Sequence, residues 1–363
     1  MSSISHAMLS NFTYSVSNPV TTPVYLASNV IAIGHSLGSN LSVYRTSNGN
    51  FGTKYSDPAS TPQSAVYSIG FSPSYDAMVC GLEYTGTLAA YQWNSNTGFG
   101  TRYSNPISSV SQAEGVNFSP DGSVVFFTYG ASPYVYAYAW SSATGFGTKY
   151  ANPSTLPGGL SYGSSITAAG DAIAVASSGT PYIQAYRWDN TTGFGTKYTN
   201  PTTLPTGAQF GVSFSPLGNA IVSGGSSTGT TFLMAWAWNS STGFGTKYAD
   251  PATNLGYTAT GVKFSPFGNA IVAGEYLYSP YIAAWPFSSS TGWGVKFADP
   301  TFGLNSDPTD IDWSGDGKYV GMGVRNSPYA QIMSYSYSSG LGSYPSSPST
   351  TPAGLGQTAK FGR

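Results

Sequence analysis

Charge is what this chain has least of. Asp, Glu, Lys and Arg together make only 7% of its 363 residues, against roughly 25% in ordinary soluble domains. The formal net charge is −1. No basic block interrupts the sequence, so the electrostatic footprint of a nucleic-acid binder is missing. Cys80 is the only cysteine, which excludes an internal disulfide. No apolar run approaches the roughly 20 residues that a membrane helix needs, and membrane insertion is not expected. Residues Met1 to Leu9 lack the basic start and apolar core of a signal peptide. No window shows a convincing helical period.

Aromatic residues, by contrast, are plentiful. They make 15% of the chain and include 28 tyrosines, which is not the composition of a disordered protein. Many of them recur at a fixed interval. An aromatic-glycine hairpin followed by Asx-Pro reads Asn50-Phe51-Gly52-Thr53-Lys54-Tyr55, then Gly98-Phe99-Gly100-Thr101-Arg102-Tyr103 and Gly145-Phe146-Gly147-Thr148-Lys149-Tyr150. Further copies start at Gly193, Gly243 and Gly292, and a decayed one reads Gly340-Leu341-Gly342-Ser343-Tyr344. The anchor residue falls at 51, 99, 146, 194, 244, 293 and 341, in steps of 47 to 50. An all-strand repeat of this length predicts a β-propeller with seven four-stranded antiparallel blades. A propeller grows by adding blades, so residues 21–363 are expected to form one domain, preceded by an N-terminal arm over 1–20.

One copy shows the predicted blade. Gly211-Val212-Ser213-Phe214-Ser215-Pro216 alternates and then turns, with Gly218 and Asn219 tolerating positive φ. Ala220 to Gly224 is a short apolar strand with both faces covered. Thr231 to Trp238 is a third strand and Phe244 to Tyr248 a fourth, ended by Asp250-Pro251. The Phe-Ser-Pro turn recurs at Phe71, Phe118, Phe214 and Phe264, with a weaker copy at Trp313. These turns, and third strands ending at Trp93, Trp140, Trp188-Asp189 and Trp238, resemble those of WD-repeat propellers. The His-Asp network common in that family has no counterpart, because only His6 and His35 are present. The resemblance implies a fold and no particular function.

The termini indicate how the ring closes. Asn18-Pro19-Val20-Thr21-Thr22-Pro23 repeats the link Asn200 to Pro205, but the inner strand that should follow is missing, and Val30 to Gly34 is already a second strand. Thr358-Ala359-Lys360-Phe361-Gly362 resembles the inner strand Thr260 to Ser265, and Phe361 lies 48 residues after Trp313. The C-terminal segment is therefore expected to supply the inner strand of blade one. The alternative uses Phe12 to Val16 as an outer strand of blade seven and Val24 to Leu26 as a short inner strand.

No residue stands out as catalytic, cofactor-binding or metal-binding. Gly34-His35-Ser36-Leu37-Gly38 matches a nucleophile elbow, but that chemistry needs a strand-to-helix turn, and a strand, Asn40 to Tyr44, follows instead. Asp57, Asp250 and Asp299 stand where other copies have Asn105, Asn152 and Asn200, which implies local hydrogen bonding rather than charge. Asp121, Asp171 and Asp316 sit in inner turns. Glu83, Glu114 and Glu275 remain, with Glu83 and Glu275 both following a second strand. Paired acids of a glycosidase must flank one bond, and these blades lie far apart around the ring. Asp307, Asp310 and Asp312 offer oxygen ligands for a hard cation, but neighbouring inner strands would set Lys263, Asp312 and Lys360 side by side, which favours an ion-pair belt. Sialidases need an arginine cluster, whereas Arg45, Arg187 and Arg325 are scattered over blades one, four and seven and Arg102 replaces the repeat lysine. No cofactor motif is present, since the Gly-x-Gly hairpins precede strands rather than helices.

A surface of Ser, Thr, Asn, Gly and Tyr resembles that of extracellular binding proteins, yet neither export signal nor disulfide accompanies it. A virion protein, made in host cytoplasm and released by lysis, reconciles the two. The repeat is also similar to that of uncharacterised propeller proteins in phage genomes. The expectation is a non-enzymatic binding or structural module, a tail or particle-decorating virion component whose partners are other virion proteins and a host-surface glycan. The alternatives are a cytoplasmic WD-repeat-like scaffold for protein–protein interaction and a glycan-active enzyme.

Overall fold

A computed structural model describes residues 28–84, 88–106, 112–301, 304–342 and 347–362. It contains seven four-stranded antiparallel sheets and, among the described residues, no helix. The arm expected over 1–20 and the alternative closure through Phe12–Val16 and Val24–Leu26 lie outside the described residues.

Closure follows the C-terminal expectation. Gly356–Gly362 is the inner strand of blade one and pairs antiparallel with Val30–His35, setting Ile31 opposite Phe361 and Ile33 opposite Ala359. Leu41–Ser47 and Asn50–Lys54 complete the blade. The second strand of each blade is buried on both faces, as in Ala77–Leu82, Ala172–Ser177 and Ala220–Gly225. This is why those segments read as continuous apolar runs of small and β-branched residues. The third strand of blade five starts at Leu233, two residues later than the sequence suggests, where pairing with Gly224 begins.

The repeat residues prove to be the joints between blades. Tyr55, at the end of the blade-one outer strand, packs edge-on against Trp93 of blade two, with centroids 5.0 Å apart, and Trp93 packs against Phe99 at the same distance. The Tyr55 hydroxyl donates to the Ser95 carbonyl in the outer turn of blade two. The latch recurs from Tyr150 to the Asn190 carbonyl at 2.5 Å and from Tyr248 to the Ser289 carbonyl at 2.7 Å. The glycine of each outer turn is required by the same joint. Gly98 has φ +89°, and a Cβ there would lie 3.2 Å from the Tyr55 ring. The Phe-Ser-Pro turn has its own reason: the serine hydroxyl oxygen accepts from the backbone N–H five residues on, at 3.0 Å for Ser72 and Ala77.

A second stitch runs closer to the axis. The Phe214 N–H donates to Ser165 Oγ at 3.0 Å, and the Phe264 N–H to Ser213 Oγ at 3.1 Å, each crossing from one blade to the one before it. At the seam the acceptor is a carboxylate. Asp312 Oδ2 accepts from the Phe361 N–H at 3.0 Å, while its Oδ1 lies 3.1 Å from Lys360 Nζ. Of the expected Lys263, Asp312 and Lys360 belt, the Asp312–Lys360 pair forms, at the point of closure.

Deleting residues 357–363 should strip Val30–His35 of its partner and leave buried backbone groups unpaired. Each costs roughly 1–3 kcal/mol, out of a total stability of about 5–15 kcal/mol. Circular dichroism should show a chain that has lost its cooperative melt or melts far below the parent. A truncated protein that melts with the parent would place the closure elsewhere.

Candidate active site in the central channel

The inner strands of all seven blades converge on one cavity of about 500 Å³ at the end of the ring where the interblade links lie. Their register carries a shared irregularity. A β-bulge interrupts pairing between Val66 and Ser68, Ala113 and Gly115, Gln209 and Gly211, Ala259 and Gly261, and Pro308 and Asp310. The residue left out of register is Tyr67, Glu114, Phe210, Thr260 or Thr309, and every one of them lines the cavity. Bulges bend a strand and re-aim a side chain. Here they set one residue per blade at one height around the mouth. A glycine follows the bulge in several blades, and where the backbones crowd it is required: a Cβ on Gly211 would come within 2.8 Å of the Val262 backbone nitrogen.

Glu114 is the titratable member of that ring. Burial, and then the charge of Glu83, push its carboxyl up from 4.5 to about 7. Glu83, on the neighbouring blade, accepts a hydrogen bond from the Tyr67 hydroxyl at 3.1 Å. Blade seven, across the ring from blade three, brings Arg325 into the same cavity. Its guanidinium is held 2.5 Å from Asp307 Oδ2 and lies 5.2 Å from the centroid of the Tyr276 ring. Deeper in the channel are Lys263, Asp310, Asp312 and Lys360. Burial raises the Asp310 carboxyl, with Lys263 and a 2.7 Å hydrogen bond from Thr358 pulling the other way. Burial pulls the Lys360 ammonium down, but Asp312 more than offsets this and the net shift is upward.

The other residues singled out in the sequence are accounted for locally. His35 is buried, 3.0 Å from Ser42 Oγ through Nε2, and burial lowers it to about 4. No helix follows Ser36, so the elbow geometry is absent. Asp57, Asp250 and Asp299 each pair with the repeat lysine three residues before them. Lys197 makes the same contact with Asn200 Oδ1. At these four positions Asp and Asn both offer the lysine an oxygen, so the partner is a side chain, whereas Asn105, which follows Arg102, donates to the Leu88 carbonyl at 3.2 Å. Asp121 and Asp171 accept from Asn190 and Ser240 of the next blade, at 2.7 and 2.9 Å, while Asp316 accepts from Ser314 at 2.7 Å. Glu275 Oε1 accepts from the Tyr257 N–H at 2.7 Å. Asp307, Asp310 and Asp312 go to three different partners, and no group of acids, histidines or cysteines among the described residues is placed to hold a metal. Arg45 and Arg187 lie over Tyr55 and Tyr198, at 4.7 and 4.8 Å, as parts of the blade joints. Arg102 reaches Ser60 at 3.0 Å.

No protein-family model and no curated protein matches the sequence. Solved structures do match. A protein from Lactobacillus plantarum superposes with a TM-score of 0.75 at 14% identity, covering 93% of this chain and 100% of its own. A candidate 6-phosphogluconolactonase from Bacteroides uniformis gives 0.72 at 13% identity over 93% and 100%. The periplasmic gluconolactonase PpgL of Pseudomonas aeruginosa gives 0.67 at 14% identity over 92% and 98%. The likeness is one of fold. Even so, it corrects the expectation of a non-enzymatic virion component. Propellers of this shape carry the names of sugar-lactone enzymes, so the architecture gives no ground for excluding catalysis. The physical error was to treat blades separated around the ring as remote from one another. Their inner strands meet at the axis, where Glu114 and Arg325 share a cavity.

A raised carboxyl has a signature in stability. The folded chain binds the Glu114 proton more tightly than the unfolded chain. That contribution is complete below 4.5 and is lost as pH rises through about 7. Glu114→Gln mimics the neutral form. It should therefore raise Tm relative to the parent at about pH 8 and change it little at about pH 4. An equal Tm difference at both pH values would mean that the carboxyl is not held neutral.

Proposed function

We propose that the channel mouth hydrolyses a small polyhydroxylated lactone, with Glu114 as the general base. The observation that carries this reading is a carboxyl poised near neutral pH in a bulge of the inner strand, in a cavity that the Arg325 guanidinium also lines. A base works best when its pKa lies near the working pH. The solved structures sharing the fold, two of them named for gluconolactone chemistry, support the choice of substrate class.

In this reading Glu114 takes a proton from water as the water oxygen adds to the lactone carbonyl carbon. The carbonyl π pair moves onto oxygen. Positive charge from Arg325 and, deeper, Lys263 favours the oxyanion. Collapse of the tetrahedral species breaks the ring C–O bond, and the proton held by Glu114 passes to the departing alkoxide. Lactone and water give one hydroxy acid, with no redox change.

Glucono-δ-lactone and its 6-phosphate, followed by proton release above the spontaneous rate, test the proposal. Activity should rise with pH through about 7 as Glu114 ionises, and Glu114→Gln should reduce kcat by about 10²-fold or more. If neither lactone turns over faster than in buffer, the reading fails. If turnover survives in Glu114→Gln, the base is another group.

A further inference from the structure

One sector of the cavity rim differs from the rest. Between blades five, six and seven, Phe232, Tyr257 and Tyr276 form a row. Ring centroids are 6.2 Å apart at each step, and the planes tilt by only 36° and 34°. Arg325 covers the end of the row over Tyr276. Tyr257 is 48% exposed and Tyr278 is 59% exposed. Tyr278 stands beside the loop, 3.0 Å from where a Cβ on Gly256 would lie. In the blade joints most aromatic pairs are packed edge-on, as in Tyr103 against Trp140 at 75°. Here they are nearly side by side, with Phe232 buried, Tyr276 half-buried and Tyr257 open to solvent.

The loop that carries Tyr257 is fixed from below. Glu275, buried at the end of the second strand of blade six, receives the Tyr257 N–H at 2.7 Å. Burial raises its carboxyl, and the backbone N–H groups of Tyr257 and Gly256 work against that rise. A buried acid engaged on a surface loop leaves the tyrosine preorganised for contact rather than free to move. Hydroxyls flank the row: Ser226 and Thr258 line the cavity beside it, and Thr206 Oγ1 lies 2.9 Å from Ser227 Oγ. Aromatic faces with hydroxyls nearby match the alternating C–H and O–H faces of a pyranose. The row is also continuous with the reaction cavity, since Tyr257 and Tyr276 line it with Glu114. At about 500 Å³ that cavity lies within the range of roughly 300–1,000 Å³ that holds drug-sized ligands, with room for more than one six-membered ring.

We propose that Tyr257, Tyr276 and Tyr278 form a subsite for a second sugar ring, so that the substrate is a glycosylated aldonic lactone rather than a lone monosaccharide lactone. The inference rests on the lactonase reading for the reaction, but the subsite is a binding claim that can be tested apart from it.

Two measurements separate the claims. The first compares kcat/KM for cellobiono-δ-lactone and glucono-δ-lactone. The parent should prefer the disaccharide lactone by about tenfold or more, and the double variant Tyr257→Ala, Tyr278→Ala should bring that ratio close to one. The second titrates cellobionate and gluconate, the stable acids, by calorimetry. Cellobionate should bind the parent at least about tenfold more tightly, with the advantage lost in the double variant. Hydrolysis of both lactones at equal efficiency, with equal binding of the two acids, overturns the subsite and leaves the lactonase reading standing. Cellobionate binding that depends on the tyrosines, with no lactone turned over, upholds the subsite and overturns the reaction. A disaccharide preference that persists in the double variant places the second ring elsewhere and also overturns the proposal. Native-like circular dichroism of the variant confirms that the comparison is between folded proteins.

Discussion

A tyrosine hydroxyl reaching the carbonyl of the next blade's outer turn recurs at Tyr55, Tyr103, Tyr150, Tyr198 and Tyr248, and the rest of the ring is arranged around it. The bond spans two sheets that share no backbone ladder. It fixes how far each blade is rotated from its neighbour, and it demands a residue without Cβ beneath the ring. It also brings Tyr, Trp and Phe from two blades into one edge-on stack, where the apolar area buried adds to the single polar bond. At blade six the latch residue is Phe297, which has no hydroxyl to donate and instead packs 5.9 Å from Tyr335. Near that boundary the inner strands turn to carboxylates. Asp310 and Asp312 of blade seven bind Thr358, Lys360 and the Phe361 N–H of blade one. Three of the few charges in the chain, Asp310, Asp312 and Lys360, thus meet where the ring must close.

That placement links closure to the site. Asp310, Asp312 and Lys360 belong to the seam and to the channel wall at once. A carboxylate removed here loses a partner across the seam and also changes the potential in the cavity. Stability and function are therefore coupled at these positions more tightly than at Glu114, whose ionisation works against the fold and whose neutral isostere should relieve it. Destabilised groups of this kind are common at reacting centres, where environment and task set the pKa together.

The architecture was legible because it is written many times. The spacing of Phe51, Phe99, Phe146, Phe194 and Phe244, and the match of Thr358–Gly362 to an inner strand, needed no knowledge of what touches what. The site was not legible for the opposite reason. Glu114 occurs once, at a position filled by Tyr67, Tyr162 and Phe210 in neighbouring blades, and only the bulge turns it toward the axis. A bulge shifts pairing by one residue, and a sequence aligned on its apolar pattern does not register that. Arg325 was read as one of several scattered arginines. Its meeting with Glu114 depends on a ring that brings blades three and seven together across a cavity. Glu83 and Glu275 were grouped because each follows a second strand. The structure divides them: one accepts a tyrosine hydroxyl at the mouth, and the other holds a loop backbone.

The bulge shared by the inner strands gives the mouth an unusual independence from the scaffold. The out-of-register residue takes no part in the ladder, and the tyrosine latches between blades are made by other residues, although Thr309 Oγ1 also donates to the Gly356 carbonyl of blade one. Tyr, Glu, Phe and Thr all occupy the position without altering the sheet behind it. Substitution at one blade leaves the ladders of the others unchanged, and its effect reaches only a neighbour at the mouth, as where Phe210 packs on Tyr162. The ring therefore behaves as a set of interchangeable jaws around a fixed chuck, and new selectivity can arise one jaw at a time while the frame continues to fold as before.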